Sequence, residues 1–229
     1  MGPTKIWLSW SSGKDSAWAL HELRASREFE VTGLLTTVNR DAGRVAMHAV
    51  REELLEAQAA AAGLPLLKVS IPSPCSNVVY EEAMGAAMAQ ARAEGIVHVA
   101  FGDLFLEDIR RYREEKLHAV GMTPIFPLWG RNTRVLAREM VEGGLRAYLT
   151  CVDPRQLDRR FAGRRFDASL LDEWPAGVDP CGENGEFHTF AFAGPMFSAG
   201  LAVELGEIVE RDGFVFADVL PARGAATHS

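Results

Sequence analysis

The chain has only three cysteines, Cys75, Cys151 and Cys181, and no two of them form a CxxC pair. That scarcity removes a zinc ribbon and a disulfide framework, and it fits a reducing compartment. No apolar run nears the roughly 20 residues of a membrane-spanning helix. The first residues also lack the basic, apolar and small order of a secretion signal. The expectation is a cytoplasmic protein without a membrane partner. Positive charge is in deficit: 24 Lys and Arg stand against 31 Asp and Glu, a formal net charge of −7. A protein that tracks nucleic acid along a basic face reads differently, so no nucleic-acid partner is expected. The run Arg155 to Arg165 is the local exception and reads as a solvated loop. No GxG occurs, which excludes the nicotinamide fingerprint.

What is present suits one large domain, or one domain with a small appendage. There are 229 residues, 48% of them hydrophobic and 24% charged. Short apolar runs alternate with helical periods. Ile6 to Trp10 reads as a strand and Ser16 to Arg27 as a helix. Val31 to Val38 is a strand, and Ala49 to Ala62 is an alanine-rich helix stopped by Gly63 and Pro65. Leu66 to Ile71 is a strand, Val79 to Glu94 a helix, Ile96 to Phe101 a strand and Glu107 to Val120 a helix. Thr133 to Glu142 is a helix and Arg146 to Val152 a strand. This alternation predicts an α/β fold, a parallel sheet flanked by helices, with ligands outside the carboxyl ends of the strands. The places to look follow Trp10, Val38, Phe101 and Val152. Beyond Pro154 the pattern changes to a smaller α+β lobe, with strands at Phe190 to Phe192, Val203 to Val209 and Phe214 to Val219. The predicted division is an ATP-binding domain over 1–153, a smaller substrate-side lobe over 154–222 and a disordered tail over 223–229.

The first strand leads into Ser11-Ser12-Gly13-Lys14-Asp15-Ser16 and then a helix. A helix start offers backbone N–H groups and the positive end of the dipole to an anion. Gly13 permits close approach, the serines add hydroxyls, Lys14 adds a cation, and Asp15 is the candidate ligand for Mg2+. A Walker A loop would need Gly where Leu8 stands and Ser or Thr where Asp15 stands. The bland alternative is a serine-rich helix cap. The segment resembles the PP-loop of the ATP pyrophosphatase superfamily, commonly SGGxDS, with Ser12 replacing the second residue. That resemblance implies ATP as ligand, held by its pyrophosphate end, and cleavage at the α-phosphate.

A second cluster, Asp179-Pro180-Cys181-Gly182-Glu183-Asn184-Gly185-Glu186-Phe187-His188-Thr189, packs carboxylates, an imidazole and a thiol among glycines. Glu183 and Glu186 suit a cation or ammonia and His188 a proton transfer. An acidic turn entering a strand is the equally weighted alternative. Taken in order, the loop, Met47-His48, Gly102-Asp103, Phe126-Pro127-Leu128-Trp129 and this cluster resemble the diphthine–ammonia ligase family. The resemblance covers roughly residues 4 to 220. The family commonly has GEGGEFET in the last motif, from which Asn184 and His188 depart. It is closest to the short members, without the extra C-terminal domains of larger eukaryotic ones.

The resemblance implies an ATP-dependent ligase. A carboxylate is activated as an acyl-adenylate and amidated by ammonia, with diphthine on elongation factor 2 as the family substrate. The implied catalytic residues are Lys14, Glu183, Glu186 and His188. Ser11, Ser12, Gly13, Lys14, Asp15, Ser16, Met47, His48, Gly102 and Asp103 would hold the nucleotide. Other readings stay open for several of these: Asp103 as a helix cap, Met47 as a packed residue, His48 as a cap. Arg110, Arg111 and Arg113 either meet phosphate or form an exposed helix face, and Trp129 lines a pocket or fills core. Cys181 with Cys151 is weighed as a thiolation pair. The rival functions are a tRNA-modifying PP-loop enzyme and a non-catalytic AMP or ATP sensor.

Overall fold

The computed structural model describes residues 2–40, 44–45, 50–72 and 74–222. Met47, His48 and the segment 223–229 lie outside the described residues. In chain order the strands are β1 (Thr4–Ser9), β2 (Phe29–Asn39), β3 (Arg44–Val45), β4 (Leu66–Ile71), β5 (His98–Ala100), β6 (Thr123–Ile125), β7 (Arg146–Val152), β8 (Arg165–Phe166), β9 (Phe187–Ala193), β10 (Val203–Arg211) and β11 (Phe214–Pro221). The helices are α1 (Lys14–Ser26), α2 (Glu52–Ala62), α3 (Asn77–Ala93), α4 (Glu107–Ala119), α5 (Thr133–Glu142) and α6 (Ala168–Asp172).

Five parallel strands run in the order β4-β2-β1-β5-β6, and β3 adds antiparallel to the end of β2. Alternation along β1 decides what packs on each face. Ile6 and Leu8 join the larger core with α1, α2 and the second sheet, whereas Trp7 joins a separate core with Leu35, Val69, Met88 and Val99. The expected α/β fold with helices on both sides is therefore what the chain forms. The chain builds outward from β1 through β2 to β4, then returns to build β5 and β6 on the other side. The strand order thus reverses between β1 and β5, and the crevice at their carboxyl ends is where such sheets bind ligands.

The second sheet is antiparallel, with β10-β11-β7-β8 in order and β9 also paired to β7. Here one expectation is corrected. The alternation predicts β7 as another strand of the parallel sheet, but it pairs antiparallel with β9 from Arg146↔Ala193 to Val152↔Phe187 and belongs to the second sheet. A buried apolar run carries no sign of its neighbours' direction, which is why the reading failed. Asp153, just past β7, is correspondingly no ligand at a parallel sheet's end. Its buried carboxylate accepts from Arg155 Nε at 2.8 Å and Gln156 Nε2 at 3.0 Å, and these bonds hold its pKa below the usual carboxylate range. The Arg155 to Arg165 run is largely neutralised at the surface, with Arg159 on Glu210 and Arg164 on Glu173.

Candidate functional site

The β1–α1 loop enters its helix through an unusual backbone. Ser12 takes φ +67°, a left-handed conformation that glycine adopts freely and serine does not. Its carbonyl accepts from Ala191 N at 3.0 Å on β9 and from Gln58 Nε2 at 2.9 Å on α2. Lys14 N donates to Thr189 Oγ1 at 3.0 Å. The helix start is thus stitched to β9, and the two clusters distant in sequence meet. Ser11 Oγ lies 3.1 Å from Ser16 Oγ, and Ser16 Oγ donates to Gly13 O at 3.1 Å.

These elements wall a cavity of about 270 Å³ whose lining includes Ser11, Lys14, Asp15, Ser16, Gly102, Asp103, Arg113, Glu183 and His188. The cavity sits at the β1–β5 reversal. Gly102 makes the closeness possible: a Cβ there would stand 2.9 Å from Asp15 C and 3.0 Å from Ser16 N.

Lys14 is only 1% exposed. Its ammonium donates to Asp15 Oδ1 at 2.9 Å and Oδ2 at 2.8 Å and to the Cys181 carbonyl, and lies 5.1 Å from the Phe187 ring centroid. Burial by itself lowers its pKa, but Asp15, joined by Cys181 and Asp179, outweighs this and raises it above the ordinary lysine value. The site therefore holds a buried ammonium, paired with Asp15, beside the helix start.

Glu183 bridges the cavity's two sides. Its Oε1 accepts from Leu104 N at 2.7 Å and Phe105 N at 3.3 Å, just beyond Gly102-Asp103. Burial lifts its pKa from 4.5 to about 7 against these two bonds. His188 goes the other way: burial, with Lys14 adding to it, lowers its imidazole to about 4, so the ring is neutral at pH 7. Of the two, Glu183 is the group tuned to exchange a proton near neutrality.

Glu186 is placed differently from what its type suggests. Its carboxylate accepts from Asp179 N at 3.2 Å, Asn184 N at 3.0 Å and Asn184 Nδ2 at 3.0 Å, so it closes its own turn and does not face the cavity. Positive φ at Gly182 (+71°) and Gly185 (+83°) turns the loop so that Glu183 faces in and Glu186 is buried behind. Asp103 is engaged as well: Arg113 donates through Nε to Oδ2 at 2.6 Å while stacking on Phe101. Arg110 lies over the tilted pair of Phe126 and Trp129 rings, 5.1 and 4.7 Å from their centroids, which gives that aromatic run a packing role. Cys181 and Cys151 are both buried, and burial pushes both thiols up, Cys151 to about 12. Neither resembles an activated thiolate.

Asp15 fits a single magnesium contact, since its carboxylate is 27% exposed at the cavity. Among the described residues no three His, Cys, Asp or Glu side chains group as a metal cage. Magnesium usually takes one or two carboxylates with phosphate oxygens and water, so a nucleotide-borne ion suits this arrangement better than a resident one.

Sequence reasoning missed Gln58, Thr189 as a capping hydroxyl, and Arg113 as the partner of Asp103. Gln58 was findable, because Leu54, Leu55, Gln58, Ala59 and Ala62 share the buried face of α2.

Glu183 carries a testable consequence. Its carboxyl binds a proton more tightly folded than unfolded. Its stabilising contribution is therefore complete below the ordinary value of 4.5 and is lost as pH rises through about 7. Between about pH 5 and about pH 8, Tm of the native protein should fall relative to Glu183→Gln by roughly 2–4 °C, after allowance for screening at a half-buried group. A pH-independent difference would show that another group titrates.

Residues 4–124 match the family model described as the diphthamide synthase N-terminal domain, and residues 132–218 match the diphthamide synthase C-terminal domain. Human diphthine–ammonia ligase is 31% identical over 129 residues, 54% of this chain and 48% of the human protein. The mouse protein of that name is 30% identical over 144 residues, 59% of this chain and 52% of its own length. That of Danio rerio is 27% identical over 186 residues, 74% of this chain and 72% of its own. The chain spans about half the length of the mammalian relatives it matches. No described helix is long and apolar enough to cross a membrane.

Proposed function

The chain belongs to the diphthamide synthase family, and on that premise we propose that it is an ATP-dependent, AMP-forming ligase that joins ammonia to a carboxylate. The substrate that the relatives' name suggests is diphthine. The observation that carries the reading is the convergence of the Ser11–Ser16 loop and the Gly182–Thr189 cluster on one cavity, through Lys14 N to Thr189 Oγ1 and Lys14 Nζ to the Cys181 carbonyl.

In this reading the phosphates of ATP lie against the start of α1, where backbone N–H groups, Ser11, Ser16 and Lys14 neutralise charge on the departing pyrophosphate. Magnesium, when bound with the nucleotide, would add charge neutralisation, with Asp15 as its protein ligand. The substrate carboxylate attacks the α-phosphorus, and pyrophosphate leaves. Ammonia then adds to the acyl carbon of the adenylate. The new nitrogen gives up a proton to Glu183, and AMP departs as the amide forms. Glu183, with a pKa of about 7, accepts that proton without being wholly protonated beforehand. His188, neutral at pH 7, offers a hydrogen bond to substrate and not a charge. The Glu183 bonds to Leu104 and Phe105 tie the two walls of the cavity together.

The assay supplies ATP, magnesium, ammonium and elongation factor 2 carrying diphthine, beside simple carboxylates. AMP and pyrophosphate should appear in equal amounts, with an amide product. ADP and phosphate, or AMP without amide, would reject the ligase reading.

A further inference from the structure

Helix α2 is rich in alanine, yet one of its most buried side chains is an amide. Gln58 is 0% exposed, and all of its polar atoms are used. Its Oε1 accepts from Trp10 Nε1 at 3.0 Å. Its Nε2 donates to Ser12 O at 2.9 Å and Ala191 O at 2.6 Å. One side chain thus joins the end of β1, the phosphate-loop residue in the left-handed region, and β9.

We propose that Gln58 is a positioning residue that holds Ser12 in its left-handed conformation and thereby turns the Gly13 N–H to the side where the nucleotide phosphates would lie. This rests on the reading that the loop binds ATP. A trans peptide is planar, with its C=O and N–H pointing in opposite directions. Gripping Ser12 O from the α2 and β9 side therefore turns the Gly13 N–H to the other side, where it meets Ser11 Oγ, a wall of the cavity, at 3.4 Å. Serine at φ +67° does not hold that orientation unaided. The Ala191 N–H supplies one restraint, and the Gln58 amide supplies the second.

The test compares the effect of Gln58→Met on ATP binding in two backgrounds, native and Ser12→Gly. Binding is followed by calorimetry with ATP and magnesium, and the fold of every variant by its thermal melt. In the native background Q58M should weaken ATP binding by about tenfold, as expected when a buried carbonyl loses a donor. In the S12G background, where the left-handed conformation costs little, the same change should weaken binding by about threefold or less. A general packing defect would lower affinity equally in both backgrounds and would overturn the proposal, as would a Q58M protein that binds ATP like the native one. If Q58M does not fold, Gln58→Asn replaces it, since an amide one methylene shorter does not span Ser12 and Ala191. If the native protein binds no ATP, the loop's assignment itself fails, and that outcome is visible before any variant is made.

Discussion

Lys14→Ala should lower the rate of pyrophosphate release at saturating ATP by about a hundredfold to a thousandfold, the range seen when one preorganised electrostatic donor is removed from a dry site. The large figure follows from burial. Lys14 is 1% exposed, and its ammonium is held by Asp15 and the Cys181 carbonyl. Water does not replace it cheaply there, and no second lysine lines the cavity among the described residues. The variant also leaves the Asp15 carboxylate without its partner, so negative charge rises at the helix start, where the proposed reading seats phosphate. Lys14→Arg is not expected to rescue the rate, because a planar guanidinium does not reproduce the compact ammonium's bonds to both Asp15 oxygens and the Cys181 carbonyl. Pyrophosphate-release kinetics, with circular dichroism to check folding, decides the matter. A rate within about threefold of native would remove Lys14 from the chemistry and with it the assignment of the loop.

The second large effect is expected from one methyl group. Gly102→Ala puts a Cβ 2.9 Å from Asp15 C, 3.0 Å from Ser16 N and 3.1 Å from Asp15 O. All three are backbone atoms at the first turn of α1, so no rotamer relieves the contact, and the helix start must withdraw from the end of β5. Overpacking of this kind costs about 1–3 kcal/mol. A shift of roughly 1 Å in a positioned site can cost on the order of a hundredfold in rate. Gly85→Ala serves as the opposite case. Gly85 lies within α3 and has nothing within 4 Å of its virtual Cβ. There the same substitution should stabilise by about 0.5–1 kcal/mol. Urea unfolding of both variants reads the pair. Equal effects would mean that the close approach of Gly102 to α1 is not what constrains that position.

Much of this architecture is written in local pattern. Periodicity places α5 and β7 at their observed bounds and the other long helices within a few residues. Three strands escape it. β3 and β8 have two residues each and β6 three, too short for any alternation to register. The sheet to which β7 belongs is equally invisible, because pairing direction is decided by partners far along the chain. For the site, both clusters are legible as chemistry, but their meeting is not. Glu183 and Glu186 are chemically alike in the sequence and separate only when Gly182 and Gly185 bend the turn, sending one carboxylate to the cavity and the other into its own backbone. Asp103 and Arg113 stand ten residues apart, and only the close packing of α4 on the β5 end makes them partners. Ser12, by contrast, was flagged by the motif itself. It occupies the place where relatives of the loop usually have glycine, and its backbone angle shows why glycine suits that place.

The stitching of residues 12–14 to residues 189–191 also bears on how the protein comes into being. The bond from Lys14 to Thr189 closes a sequence separation of 175 residues, and contacts of that span form only after the intervening chain has paid its loop-closure entropy. During synthesis the first strand and its phosphate loop emerge early, but β9 emerges more than a hundred and seventy residues later. Until then Ser12 has neither Ala191 to grip its carbonyl nor Thr189 to order the helix start, and Lys14 has no Cys181 carbonyl to sit against. The contacts that order the loop therefore form only once β9 is available, and a nascent chain of the parallel sheet alone carries the motif without them.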